Sequence, residues 1–265
     1  MIHLKFTKIS PTQNMTILVE TPVSRGNQPG VAKAIMQRDP DTEQVGFIEQ
    51  EVPGADFHLQ MAGGEFCGNA AISAAALFAQ KKSLEPGKSM TITESVSGAP
   101  KALKAKVHRT AENNFSVELS MPLPLEVTEN PLSFEDLEYK LPLVRFPGIA
   151  HVILSTEMPK AAAERAAKKW CSDLGEDALG LMLLKEQNLT PLVFVKNPES
   201  LFWERSCASG SAAAAVFLAK REGSGEFSFT QPGGTLKSSV QCDKSGNISS
   251  LSLKGQAEIL YKGEI

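Results

Sequence analysis

Two alanine-rich helices, each opened by a cysteine, divide this chain into halves that repeat one another. Residues 61–79 read MAGGEFCGNAAISAAALFA and residues 203–220 read WERSCASGSAAAAVFLAK, placing Cys67 and Cys207 140 residues apart. NMTILVE at Asn14 has a counterpart in AHVILSTE at Ala150, with Ile17 and Ile153 136 residues apart. EQVGFIEQ from Glu43 matches DALGLMLL from Asp177, with Gly46 and Gly180 134 residues apart. Short apolar strands resemble one another in many proteins, so the strands alone would carry little weight. Two cysteines in the same place, after the same elements, require a duplicated unit.

Each half reads as the same series. A β-rich opening at 14–20 or 150–155 leads to a helix, GVAKAIMQRD from Gly30 or PKAAAERAAKKW from Pro159, the second made of good helix formers. Two short strands rich in Val, Ile, Leu and Phe precede the alanine-rich helix, and alternating runs such as SMTITES, KALKAKVH and FSFTQPGGTLKSSVQC follow it as antiparallel strands. The expected fold is α+β, with two pseudo-symmetric domains, each a mostly antiparallel sheet wrapped around a central helix. The domains are placed at 1–114 and 115–265, with NNFSVELSMP as the crossing and the last strand able to return to the N-terminal domain.

Composition narrows the function. At 42% hydrophobic and 22% charged, with 265 residues, the chain has ample material for a soluble core. A net charge of -3 without a Lys/Arg cluster points away from nucleic acid and membrane surfaces. MIHLKFTKIS lacks the apolar region of a secretory signal, and four cysteines in so long a chain make no disulfide framework. The expectation is a cytoplasmic protein with reduced thiols. The sequence is compatible with a homodimer.

The first turn of a helix presents unpaired N–H groups and partial positive charge. A cysteine there is expected to have its thiolate stabilised and its pKa lowered. The small residues after each cysteine let a carboxylate approach the backbone N–H groups. If two such domains face each other, two thiols meet one carboxylate-bearing molecule. Inverting a carbon centre needs a base on one face and an acid on the other, and a thiol can serve as either. Donors aimed at the carboxylate would stabilise the enolate-like charge that develops as the α-proton leaves. A free cysteine in a reduced core is most often a small inert hydrophobe, which is how Cys171 and Cys242 read. A zinc site built on His58 and His151 lacks ligand spacing. No P-loop, G-x-G-x-x-G or G-x-S-x-G motif is present, and nothing marks a lysine for pyridoxal phosphate. No cofactor or metal is expected.

With NMTILV, EQVGFIE, DFHL leading into EFCGNA, WE leading into SC with SG behind, and QPGG at Gln231, the chain resembles the cofactor-independent amino-acid racemases and epimerases. Diaminopimelate epimerase, proline racemase and the phenazine-pathway isomerases share that superfamily. The likeness is greatest to the histidine racemases of staphylopine-type metallophore biosynthesis and runs through nearly the whole chain.

The resemblance implies roles. Cys67 and Cys207 match the two catalytic thiols, His151 the histidine that pairs with the first, and Glu204 the acidic partner of the second. Gly68–Asn69 and Ser209–Gly210 match the backbone cradles for the substrate carboxylate, and Asn14 and Gln44 the N-terminal contacts to substrate. Taken alone, His151 on an apolar strand would read as a satisfied core group and Glu204 as a solvated loop carboxylate. Two features that serve the distal end of diaminopimelate are altered: Met61 stands where an asparagine is expected, and only Ser206 separates Glu204–Arg205 from Cys207. Two intact thiols argue against the phenazine type. Arg205 departs from the histidine racemases, which the likeness would give an uncharged residue there. The implied activity is conversion of L-histidine to D-histidine for an opine metallophore. The alternatives are a diaminopimelate or other amino-acid epimerase, and a non-catalytic carboxylate-binding member of the fold.

Overall fold

Alternation of buried and exposed residues along short strands sets the architecture. In β6 (Leu103–Arg109), Leu103, Ala105 and Val107 turn inward while the two lysines between them face out. The computed structural model describes residues 3–49, 52–196 and 199–264. By its internal contacts the chain divides into two compact units, Met1–Met121 with Leu253–Ile265, and Pro122–Ser252.

In the first unit the strand order is β1 (Lys5–Pro11), β2 (Thr16–Val19), β3 (Gln44–Glu49), β4 (Phe57–Met61), β5 (Ser89–Val96), β6, β7 (Asn114–Ser120) and the later part of the last strand, β16 (Ile248–Glu264). Because β16 also pairs with β1, the order closes on itself as a barrel and leaves no open edge. Two pairings, β2–β3 and β4–β5, are parallel, and the hairpins between them are antiparallel. Helix α1 (Gln28–Arg38) covers one face through Ala32 and Ile35, which pack with Phe6, Ile17, Val19, Val45 and Phe47. Helix α2 (Gly68–Lys81) packs against strands from around the ring, and every residue from Gly68 to Leu77 is buried. A helix enclosed on all sides must be apolar all round. Alanine satisfies that and lets the strands close tightly around it.

One wall residue breaks the pattern. Glu94 on β5 is fully buried, and neither carboxyl oxygen has a hydrogen-bond partner among the described residues. Burial raises its pKa well above the ordinary carboxylate range, so it stands as a neutral acid.

The second unit repeats the scheme. Its sheet runs β8 (Glu126–Phe134), β9 (Leu137–Phe146), β10 (Ile149–Leu154), β11 (Ala178–Lys185), β12 (Asn188–Val195), β14 (Gly225–Gln231) and β15 (Gly234–Cys242), with β13 (Ser200–Trp203) on β12. Its parallel pairings, β10–β11 and β12–β14, occupy the places of β2–β3 and β4–β5. Helix α3 (Lys160–Asp173) seals a core around Trp170, with Leu143, Val152, Leu181 and Leu192. Helix α4 (Ala208–Glu222) is the counterpart of α2, its first nine residues buried without exception. Strand β16 lies in the second unit as far as Ser252 and in the first from Leu253. The observed architecture is mixed α+β, sheet-dominated and barrel-like.

Candidate active site

Each cysteine is the N-cap of its helix in extended conformation, Cys67 at φ -128° and ψ 111°, Cys207 at φ -125° and ψ 112°. In each, Sγ accepts the N–H three residues on, from Ala70 or from Gly210, at 3.4 Å. The sulfur therefore takes the capping position ordinarily held by a serine or aspartate oxygen. That geometry places both thiols in the first turn, among its orphan N–H groups.

In the first unit Cys67 is half-buried and its thiol donates to Gln44 Oε1. Gln44 Nε2 donates to Asn14 Oδ1, and Asn14 Nδ2 donates to Glu43 Oε2 at 2.7 Å. Glu43 thus fixes the orientation of both amides, and the expected residues Asn14, Gln44 and Cys67 form one chain. Asn14 is delivered by a tight turn: Thr12 and Gln13 both have positive φ, 49° and 62°, and Asn14 N–H donates to Pro11 O at 3.0 Å. Neither residue is a glycine, and threonine in particular resists this region. Gly68 and Asn69 follow Cys67 as buried first-turn residues. The cysteine loop is held by Ser97, whose Oγ donates to Glu65 O at 2.8 Å and accepts from Met61 N–H at 2.9 Å.

In the second unit Cys207 is buried, and the Glu204 carboxyl is close enough to interact with its thiol. Glu204 is positioned by its own N–H, which donates to Pro191 O at 3.0 Å. Its Oε2 is buried with no partner among the described residues. Burial raises its pKa to about 7, opposed by the bond to Cys207. Burial also pushes the Cys207 thiol well above its ordinary value, the Glu204 carboxylate adds to the rise, and the Gly210 N–H opposes it. The expected lowering of a helix-terminal thiol therefore does not hold for Cys207. Its sulfur is desolvated and faces an anion, and both effects outweigh the helix terminus. Cys207 rests as a thiol.

Ser209 and Gly210 are buried in the first turn of α4, with Ser209 Oγ 3.7 Å from Cys207 Sγ. A Cβ on Gly210 would lie 2.2 Å from Met182 Sδ, so packing demands the glycine there. Met182 also approaches Gly180, where a Cβ would lie 2.2 Å from His151 Nδ1. His151 is thus in the second unit beside Gly180, its partner across the parallel β10–β11 pair. In the first unit the corresponding glycine, Gly46, faces Leu18 across β2–β3. A histidine occupies what is a leucine position in the twin. It is fully buried, neither ring nitrogen has a hydrogen-bond partner among the described residues, and burial lowers its pKa to about 3. It is a neutral imidazole with unused hydrogen-bonding capacity, which a satisfied core histidine would not have.

Arg205 is exposed and its Nη2 donates to Pro232 O at 3.2 Å. Cys171 is buried and donates to Glu176 O, in keeping with the inert reading. Among the described residues no group of three or more His, Cys, Asp or Glu could hold a metal, and no helix is long and apolar enough to cross a membrane. The sequence did not single out Glu43, Ser97, Ser211 or the side-chain role of Gln231. They belong to no motif: Glu43 precedes β3, Ser97 follows β5, Ser211 lies one turn into α4 and Gln231 ends β14.

The profile of the family described as histidine racemase CntK N-terminal domain matches residues 3–265. A histidine racemase of Fusobacterium nucleatum subsp. nucleatum is 35% identical over 99% of this chain and 97% of its own length. A histidine racemase of Staphylococcus aureus is 29% identical over 98% of this chain and 97% of its own. In fold, the chain is similar to a hydroxyproline epimerase from Agrobacterium vitis, with a TM-score of 0.73 at 11% identity, covering 99% and 92% of the two chains. Fold and relatives define an isomerase, an amino-acid racemase. Within that class the chain belongs to the histidine racemase CntK family.

Proposed function

We propose that this protein interconverts L- and D-histidine without pyridoxal phosphate, using Cys67 and Cys207 as base and acid on opposite faces of one amino acid. The observation that carries the reading is the repetition of a cysteine N-cap in both units, each thiol beside a polar side chain, Gln44 or Glu204. Cys171, read as inert, caps no helix and bonds a backbone carbonyl. The two units are read as pseudo-symmetric domains of the diaminopimelate epimerase type, near 1–114 and 115–265 with β16 returning to the first.

In this reading the thiolate on one side takes the α-proton and the thiol on the other gives one to the opposite face. The substrate carboxylate lies against the first turns of α2 and α4, at Gly68–Asn69 and Ser209–Gly210, whose N–H groups meet the charge as it grows. Glu204 accepts the proton of Cys207 when that thiol acts as base. His151 is assigned to Cys67 by its likeness to the family, and its ring nitrogens have no hydrogen-bond partner among the described residues. Asn14 and Gln44 orient the substrate on the side of Cys67.

Histidine is favoured by the relatives' activity. Arg205 is exposed and donates to Pro232 O, which supports the QPGG turn. A site that satisfies an imidazole's nitrogens rejects substrates lacking them, because its own polar groups would be left unpaired. The product D-histidine would feed an opine metallophore in the cytoplasm. Chiral chromatography after incubation with L-histidine, D-histidine, LL-diaminopimelate, glutamate and alanine tests this. Racemisation of histidine in both directions with little turnover of the others is expected. Diaminopimelate or glutamate turning over faster than histidine would overturn the substrate assignment.

A further inference from the structure

Gln231 ends β14, directly before the Pro232–Gly233 turn, and is only 5% exposed. Its Oε1 accepts from Cys207 N–H at 2.8 Å, and its Nε2 donates to Ser211 Oγ at 2.8 Å. Ser211 Oγ donates in turn to Cys207 O at 2.7 Å. Both backbone polar groups of Cys207 are thus closed into one ring by two buried side chains. The ring dictates its residue types. One group must accept at one end and donate at the other while remaining neutral, and a long amide does so where a carboxylate or an apolar chain cannot. The turn beyond Gln231 grips the preceding segment as well, because Gly233 N–H donates to Arg205 O at 2.6 Å.

In the first unit Ser97, just beyond the end of β5, bonds Glu65 O and Met61 N–H and so secures the loop before Cys67. The ring acts directly on the backbone of Cys207, the thiol beside Glu204.

We propose that Gln231 is a positioning residue for racemisation, holding the Cys207 backbone through its ring with Ser211 so that Sγ is aimed without Gln231 touching the substrate. This rests on the two-thiol reading above. Releasing the clamp leaves the N-cap residue free to shift, and a displacement of about 1 Å at a reacting group lowers turnover roughly 10²-fold.

The test is Gln231→Leu on the full chain, its fold checked by circular dichroism and melting temperature. Racemisation kcat on histidine is expected to fall by about 10²-fold with KM little changed. A merely structural role would not split the two enantiomers, whereas a role confined to Cys207 does. In deuterium oxide, α-proton exchange should fall for the enantiomer deprotonated by Cys207 and persist for the one deprotonated by Cys67. Ser211→Ala opens the same ring more gently and should give the same split with a smaller loss, which keeps the test available if Gln231→Leu does not fold. Unchanged kcat, or equal loss of exchange from both enantiomers, would overturn the proposal. Cys207→Ser run alongside separates the two claims. If that variant racemises normally, the two-thiol reading itself fails. If it is inactive while the clamp variants behave as wild type, only the positioning role fails.

Discussion

Replacing Glu204 by glutamine should make the protein both more stable and nearly inactive, in amounts that depend on pH. The carboxyl is carried from an ordinary 4.5 to about 7 by burial. For an acid, a raised folded pKa means that the fold favours the protonated form. The group therefore costs nothing below about 4.5, and its penalty grows as pH rises from there to about 7, where it is complete. A rise of this size corresponds to about 3 kcal/mol at neutral pH and above. Glutamine keeps the shape and an oxygen that can accept the Cys207 thiol, but it cannot ionise. Its bond to the thiol is weaker than a carboxylate's by about 1 kcal/mol, which offsets part of the gain. The net stabilisation should be about 1–2 kcal/mol at pH 8, at about 2–4 °C in Tm for each kcal/mol. At pH 4 it should vanish. Activity should fall by about 10²–10⁴-fold, the range for losing a general acid–base group. Wild-type kcat/KM should decline as pH drops through about 7, where Glu204 becomes protonated, and the variant's residual activity should lack that limb. Calorimetric melts from pH 4 to 8 with chiral assays at each pH measure both. A variant that melts lower than wild type at pH 8, or that keeps the acid limb, would refute the argument.

Cys67→Ser and Cys207→Ser should each lower racemisation by about 10²–10⁴-fold, because an alcohol cannot exchange protons at working pH as a thiol does; wild-type activity in either, by circular dichroism of the amino acid, would remove the two-base scheme. Gly180→Ala puts a methyl 2.2 Å from His151 Nδ1 and should cost about 1–3 kcal/mol with loss of activity. Most of that stability should return in a Gly180→Ala, His151→Ala double variant, and an unperturbed Tm in the single variant would contradict the packing described. Gln13→Gly relieves a left-handed residue in the turn before Asn14 while keeping the Thr12 Oγ1 bonds to Gln256, and should stabilise the protein by about 0.4–1 kcal/mol. A lower Tm would contradict this expectation.

The parts legible in the sequence were those with local causes. Alanine-rich runs with a cysteine at the start and no charge for two turns become enclosed, cysteine-capped helices, because nothing else could fill the space that α2 and α4 occupy. Lys160–Asp173 and the β14–β15 hairpin follow equally from helix formers and a Gly-containing turn. The β8–β9 hairpin was not read, since Pro131 and Pro142 interrupt its alternation. The hairpin tolerates Pro131 because β8 is the last strand in the sheet order of the described residues and asks less of its N–H groups. The raised pKa of Cys207 is not legible in the sequence, for a nonlocal reason. Helix-terminal charge is visible from spacing, whereas desolvation and the approach of Glu204 depend on what β12 and β13 bring against the loop. Gln231 and Ser211 lie 20 residues apart in sequence and meet only because β14 returns beside α4.

The two halves, alike in backbone, differ in what each thiol can do with its proton. Glu43 accepts from Asn14, so Asn14 must turn its oxygen to Gln44, and Gln44 must turn its own oxygen to Cys67. A carbonyl oxygen can hold a thiol proton but cannot take it. Glu204 can, and with a pKa near 7 it is poised to do so in the pH range where Cys207 must become a thiolate. In the proposed reaction this makes the Cys207–Glu204 pair the natural starting base and Cys67, whose thiol donates to Gln44 Oε1, the first donor. After one turnover the roles are reversed: Cys67 is the thiolate and Cys207 the thiol. Glu204 then holds the proton that must be returned or exchanged before the same enantiomer can be processed again. The duplicated fold supplies two cysteine N-caps, and their neighbours differ: an amide oxygen at Cys67 and a carboxyl able to take a proton at Cys207.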